Sequence, residues 1–246
     1  MHGFTATPDE MRPLADVLTS HGFPLHAVCL AGHATSVEDL AQTVWSDWFA
    51  SVEAGLAALR RDVRHVAVCG MSLGGLLSLH LAAQQPTAVD ALAVYGVPIR
   101  IADVRARWLP VLARVPWVAR RWAIIPKGDG PDISDAAARA ASRSYRAMPL
   151  AGIVQLIRLQ GIVRRELRRI TQPALLLHGR HDHSAAVANL ALLRRSLGSR
   201  WIEAHVLERS WHIVTLDVER DEVGRLTADF LTRVEASLVA TDRPAG

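Results

Sequence analysis

Ser72 lies in Gly70-Met71-Ser72-Leu73-Gly74, after the apolar run His65 to Cys69 and before a stretch of helical spacing that opens at Leu73. A serine on a sharp strand-to-helix turn presents its hydroxyl above the end of a sheet, and small residues two positions to either side leave room for that turn. The hydroxyl is a weak nucleophile until a base takes its proton and a third group orients the base. Two later segments offer those partners in the chain order serine, acid, histidine that this arrangement uses. Asp182 sits in Gly179-Arg180-His181-Asp182-His183, just beyond the run Ala174 to His178, and His212 follows the run Ile202 to Leu207 in Ser210-Trp211-His212. Together these residue types support acyl transfer, with Ser72 attacking a carbonyl, His212 moving the proton and Asp182 orienting the imidazole. Near the start, Met1-His2-Gly3-Phe4-Thr5 reads as a turn whose backbone faces the reacting oxygen, so the oxyanion donors are assigned to the N–H groups of Phe4 and Leu73. Loss of one such donor typically slows a reaction about 100- to 1000-fold. The plainer reading of the serine motif is a glycine-rich turn with Ser72 as a helix N-cap.

Other residues compete for these roles. His26, His65, His178 and His205 fall inside or at the edges of strand runs and read as packed or edge residues, while His21 and His80 fall on helix ends or faces. His181 and His183 flank Asp182, but alternate positions of a short loop point apart and no further ligand cluster is near in sequence, so no metal is assigned. Asp217, five residues after His212 at an apparent helix start, reads as structural.

Elements that could position these groups follow from the hydrophobic pattern. Short apolar runs at Leu25 to Leu30, His65 to Cys69, Ala91 to Tyr95, Ala174 to His178 and Ile202 to Leu207 predict buried strands. Helical spacing at Glu10 to Ser20, Leu40 to Arg60, Leu73 to Gln84, Ala185 to Leu197 and Asp221 to Leu238 alternates with them. Such alternation predicts an α/β fold with a mostly parallel sheet and helices on both faces, and Ser72, Asp182 and His212 then all fall at carboxyl ends of strands, where ligands bind. Residues 97–171 break the pattern with proline-rich helical stretches at Ala102 to Leu112, Asp135 to Ala147 and Leu150 to Arg169, and no strand is read there. Trp108, Trp117 and Trp122 of this insertion either line a pocket or anchor it on the domain below. The predicted organisation is a core of 1–96 and 172–240, a helical cap of 97–171, and a loose tail of 241–246.

Composition excludes several classes. Half of the 246 residues are hydrophobic and 21% are charged, which excludes intrinsic disorder. Apolar runs fall short of the roughly 18 residues a membrane-spanning helix needs. Two cysteines, Cys29 and Cys69, each inside an apolar run, argue against a disulfide scaffold and for buried free thiols in a cytoplasmic protein. The net charge of +4 is concentrated, because residues 97–171 carry +10 and the remainder −6. No DNA-reading helix or zinc finger accompanies the basic segment, so solvated arginines rather than a nucleic-acid partner are expected.

The chain resembles the α/β-hydrolase superfamily and, within it, small bacterial carboxylesterases and monoacylglycerol-lipase-like serine esterases. The similarity rests on HGFTATPDEMRPLADVL, LAGHATSVEDL with TVWSDWF, GMSLGG, the GRHDH loop and SWHIVTLDVERDEV, which span nearly the whole chain outside the insertion. It implies the triad Ser72, Asp182 and His212, an oxyanion donor at Phe4, and a helical cap over an acyl pocket. It further implies hydrolysis of short or medium acyl esters or monoacylglycerols through an acyl-enzyme, without a cofactor or metal. The expected partner is a small ester, lipid esters included, with no nucleic acid and no stable membrane insertion; the oligomeric state is not specified. Two departures stand out: Gly32-His33-Ala34 replaces the usual GHG, and the strand that normally precedes HGF is not in the chain. That second departure supports the alternative of a catalytically idle ligand-binding relative, and a thioesterase or acyltransferase would use the same triad.

Overall fold

The computed structural model describes residues 1–100, 108–115, 117, 121–128 and 130–242. Its strands are β1 (Ala67–Met71), β2 (Ala91–Tyr95), β3 (Ile124–Pro126), β4 (Ala147–Pro149), β5 (Ala174–Gly179) and β6 (Ile202–Leu207). Its helices are α1 (Arg12–Ser20), α2 (Val37–Gln42), α3 (Trp45–Leu59), α4 (Leu73–Gln84), α5 (Leu109–Leu112), α6 (Ala136–Ala141), α7 (Leu150–Glu166), α8 (Ala188–Ser196) and α9 (Arg220–Asp242). β1, β2, β5 and β6 form a parallel sheet in the order β1-β2-β5-β6. Alternate side chains serve opposite faces: Leu92, Val94, Ala174 and Leu176 pack with α3, α4, α7 and α8, while Ala93, Tyr95, Leu175 and Leu177 pack with α1 and α9. Because both faces are covered, these strands read as continuous apolar runs rather than as an alternation. α4 is buried all round, with ten of its twelve residues out of solvent, and the residue before it, Ser72, is half-buried at its start.

The parallel α/β expectation and the strands at β1, β2, β5 and β6 correspond to what is observed. Four details differ. Leu40 to Arg60 divides into α2 and α3, because Thr43 and Val44 turn extended and the Asp47 carboxylate accepts the Val44 N–H at 2.9 Å to cap α3. Leu25 to Leu30 forms no strand. It faces the outer edge of β1 across a cavity of about 140 Å³ lined by Leu25, Val28, Val66 and Val68, so it has no ladder to join. Cys29 on this open segment is consequently exposed rather than buried, and Cys69 is half-buried. The insertion also contains strands, since β3 and β4 pair antiparallel with Ile125 opposite Met148. Each is three residues long, too short for periodicity to reveal, with a proline at its edge.

Trp108, Trp117 and Trp122 are 55%, 66% and 54% exposed, so none is buried as an anchor. Of the predicted Ala102 to Leu112 helix, α5 is described and residues 102–107 lie outside the described residues. α7 continues into a 3-10 turn at Leu167–Arg169 and packs Leu159 and Val163 into the sheet-facing core. α9 runs to Asp242, and 243–246 lie outside the described residues.

Candidate active site

Ser72 adopts φ 52° and ψ −111°, a conformation rarely held by a residue with a Cβ and worth of the order of 1–3 kcal/mol of strain. Its N–H donates to the Tyr95 carbonyl at 2.8 Å, and its own carbonyl accepts from Leu76 at 3.1 Å, so the strained turn is tied to β2 and to α4. The flanking glycines are required by contact. A Cβ on Gly70 would run into the Gly74 carbonyl and Ser78 Oγ, and one on Gly74 into the carbonyls of Met1 and His2.

The structure brings the three distant candidates together. His212 Nε2 lies 3.0 Å from Ser72 Oγ, and His212 Nδ1 lies 2.7 Å from Asp182 Oδ2. An ionised carboxylate only accepts, so Nδ1 carries the proton and the Nε2 lone pair faces the serine hydroxyl. The other carboxylate oxygen of Asp182 accepts the N–H groups of Ser184 at 2.9 Å and Ala185 at 2.6 Å, which fixes the acid within its own loop. Burial opposes ionisation of Asp182, but the His212 charge and the bonds from His178, His212 and Ala185 outweigh it and hold the carboxyl well below its ordinary value. Burial likewise opposes protonation of His212, yet the Asp182 charge and hydrogen bond, helped by Asp132 and Glu10, raise its pKa above the ordinary value.

Phe4 and Leu73 both stand at the nucleophile. Leu73 opens α4, so its N–H has no intrahelical acceptor, and the Phe4 N–H has no protein acceptor among the described residues. A Cβ built on Gly3 would lie 3.5 Å from that of Ser72, which sets the N-terminal turn beside the serine. His2 supports the turn from below: its Nδ1 donates to the Gly3 carbonyl at 2.9 Å and its Nε2 accepts the Leu30 N–H at 3.2 Å. Burial, chiefly, lowers the pKa of His2 to about 3 and keeps it neutral.

Residues 1–219 match the family described as serine aminopeptidase, S33. The chain belongs to this family. The chain is 31% identical to a thermostable monoacylglycerol lipase from Bacillus sp. (strain H-257), over 95% of its length and 89% of the relative's. A carboxylesterase from Bacillus subtilis (strain 168) is 26% identical over 96% and 92% of the two chains. Among solved structures, one reported with the metagenome-derived lipolytic enzymes LipS and LipT superposes with a TM-score of 0.86 at 28% identity, covering 94% of this chain and 91% of the other. The fold is that of an α/β-hydrolase.

Within the family fold, the remaining sequence candidates have other partners. Asp217 accepts the N–H groups of Trp211 at 2.7 Å and Ser134 at 3.0 Å, tying the histidine loop to the residues before α6. His183 donates to Asp132 at 2.8 Å and stacks edgewise on Trp211. Ala34 takes φ 59° in the Gly32-His33-Ala34 turn. Sequence reasoning missed Gly96, whose φ of 53° and absent side chain open space for His212; a Cβ there would lie 3.2 Å from His212 Nδ1. Its position directly after β2 was the available signal. His178, expected from its strand run to be a packed or edge residue, is buried and also brings its Nε2 to 3.0 Å from Asp182 Oδ2. Glu10 and Lys127 gave no sequence signal, because each acquires its role only through contacts with the N-terminal turn.

Proposed function

We propose that the protein is a serine hydrolase of carboxylic esters, taking short or medium acyl esters or monoacylglycerols through an acyl-enzyme. The single observation that carries this is the continuous contact from Asp182 Oδ2 through His212 to Ser72 Oγ, at 2.7 and 3.0 Å. Ser72 attacks the ester carbonyl as His212 Nε2 takes its proton. Asp182 holds the imidazole in the Nδ1–H tautomer and offsets the charge it gains. The tetrahedral oxygen is received by the Phe4 and Leu73 N–H groups, which have no other acceptor among the described residues. Collapse expels the alcohol with the proton from His212, and water activated by the same nitrogen releases the acid. The described residues of 97–171 serve as a cap over the acyl side, where the Phe4 ring lies so close to α7 that a Cβ on Gly152 would stand 2.7 Å from it. The ester-acting relatives support this substrate class over thioesters and over an idle binding role. Free Cys29 and Cys69 fit a reducing, cytoplasmic setting.

The test is labelling with a fluorophosphonate, alongside hydrolysis of a p-nitrophenyl ester series and of monoacylglycerols. Wild type should label and turn over esters, and Ser72→Ala should do neither while remaining folded. Folded wild type that neither labels nor hydrolyses would overturn the proposal, and faster turnover of acyl thioesters than of matched oxygen esters would redirect it.

A further inference from the structure

Two charged side chains outside the triad meet at the N-terminal turn. Glu10, only 6% exposed, accepts the Gly3 N–H on Oε2 at 2.5 Å. Lys127, the residue following β3, donates from Nζ to Thr5 Oγ1. The Thr5 hydroxyl in turn donates a hydrogen bond to the Phe4 carbonyl at 2.5 Å, and the Thr5 carbonyl accepts the Tyr145 N–H at 2.8 Å. Lys127 and Tyr145 stand on opposite arms of the β3–β4 ribbon, which the Lys127 N–H extends by donating to the Arg146 carbonyl at 2.9 Å. Of the peptide groups around Phe4, therefore, Gly3 N–H, Phe4 C=O and Thr5 C=O are engaged, while the N–H groups of Phe4 and Thr5 have no acceptor among the described residues. Thr5 is held at φ 65°, a left-handed conformation unfavourable for a residue with a Cβ, so something must keep it there.

We propose that Lys127 is a positioning residue of the oxyanion hole: reaching from the cap, its ammonium fixes Thr5 so that the Phe4 N–H stays aimed at the reacting oxygen, with Glu10 as buried counter-charge on the Gly3 peptide. This rests on the ester-hydrolase reading and adds to it that the cap sets the rate of the chemical step as well as covering the substrate. A long cationic side chain ordinarily extends its charge into water. Here it is turned inward onto a neutral hydroxyl beside the nucleophile. The groups facing it are Glu10 from the 3-10 turn at Pro8–Met11, the neutral ring of His33, the Thr5 hydroxyl and the backbone of Arg146. Burial, only partly offset by Glu10, lowers the pKa of Lys127 to about 8. Above that pH the ammonium becomes a neutral amine and its grip on Thr5 weakens, so turnover should decline there.

The experiment compares wild type, Lys127→Met and Lys127→Arg by kcat and KM on a p-nitrophenyl ester, inhibition by a trifluoromethyl ketone that forms a tetrahedral adduct with the serine, and thermal melting. In Lys127→Met, kcat should fall about 10- to 100-fold with KM changed less than about two-fold, and ketone affinity should fall in parallel with kcat/KM. The alkaline limb near the Lys127 pKa of about 8 should vanish in Lys127→Met, and in Lys127→Arg kcat should recover with that limb displaced upward. The proposal is overturned by an unchanged kcat in Lys127→Met, by a raised KM with kcat intact, or by lost activity that tracks only the unfolded fraction. Wild type that does not react with a fluorophosphonate ends both readings; wild type that reacts while Lys127→Met matches it in every assay ends this one alone.

Discussion

His178 Nε2 stands 3.0 Å from Asp182 Oδ2, the same oxygen that holds His212 Nδ1 at 2.7 Å. His178 is 1% exposed, and its Nε2 also lies 2.6 Å from the Ala185 carbonyl, so that nitrogen faces two acceptors and must carry its proton. Two imidazoles thus draw on one carboxylate oxygen. The His178 bond favours the ionised acid and withholds part of its charge from His212.

Removing that bond in His178→Leu should loosen Asp182 and leave more of its charge to His212. We expect kcat/KM to fall roughly 5- to 30-fold, the equivalent of about 1–2 kcal/mol for one hydrogen bond to a charged group. The acid limb of the pH profile should move upward at the same time. A variant of unchanged kcat/KM and unchanged limb would mean that His178 serves packing alone.

The wild-type pH profile should itself carry the signature of the Asp182–His212 pair. His212 works as a base only when neutral, and its pKa is raised because the Asp182 charge and hydrogen bond overcome the effect of burial. Activity is therefore present at high pH and lost as pH falls through a value above the ordinary histidine pKa of about 6.5. In Asp182→Asn the limb should drop below the wild-type position and kcat should decrease by about 10⁴. Stopped-flow or steady-state rates across the acid range check both.

Gly96→Ala should separate catalysis from stability. A Cβ at Gly96 meets Met71 Cε at 2.8 Å and the His212 carbonyl and Nδ1 at 3.1 and 3.2 Å, and the φ of 53° adds about 1–2 kcal/mol of backbone strain. The strain lowers the melting temperature modestly, while displacement of His212 cuts kcat by more than the folded fraction accounts for. Thermal melts and kcat on the same preparation test this, and a wild-type kcat in the variant would refute it.

Ala34→Gly should stabilise. Ala34 is exposed and held at φ 59°, where glycine sits without the left-handed penalty. The relief of about 1–2 kcal/mol offsets the roughly 0.4–1 kcal/mol that glycine adds to the entropy of the unfolded chain, so a net gain of up to about 1.6 kcal/mol is expected in denaturant unfolding. A lower midpoint in the variant would contradict the argument.

Much of this architecture was legible because its causes are local. The Gly70 and Gly74 spacing around Ser72 expresses the room a single turn needs, and the apolar runs of β1, β2, β5 and β6 express burial on both faces of a sheet. Leu25 to Leu30 has the same composition as those strands but no strand beside it to bond with, and β3 and β4 pair across a stretch of chain no periodicity spans. A strand is a relation between two segments, and one segment's sequence describes only half of it.

From its sequence alone, this chain declared a parallel α/β layer structure, a serine elbow, and an acid and a histidine placed to follow it, since side-chain volume, backbone sterics and hydrophobic period act over a few neighbouring residues. Tertiary structure alone decided that Gly96 clears the way for His212, that His178 shares the Asp182 oxygen, and that Lys127, just after β3, bonds Thr5. Those are direct contacts, or the space for them, between residues far apart or pointed at one another only by folding, and no local pattern encodes them.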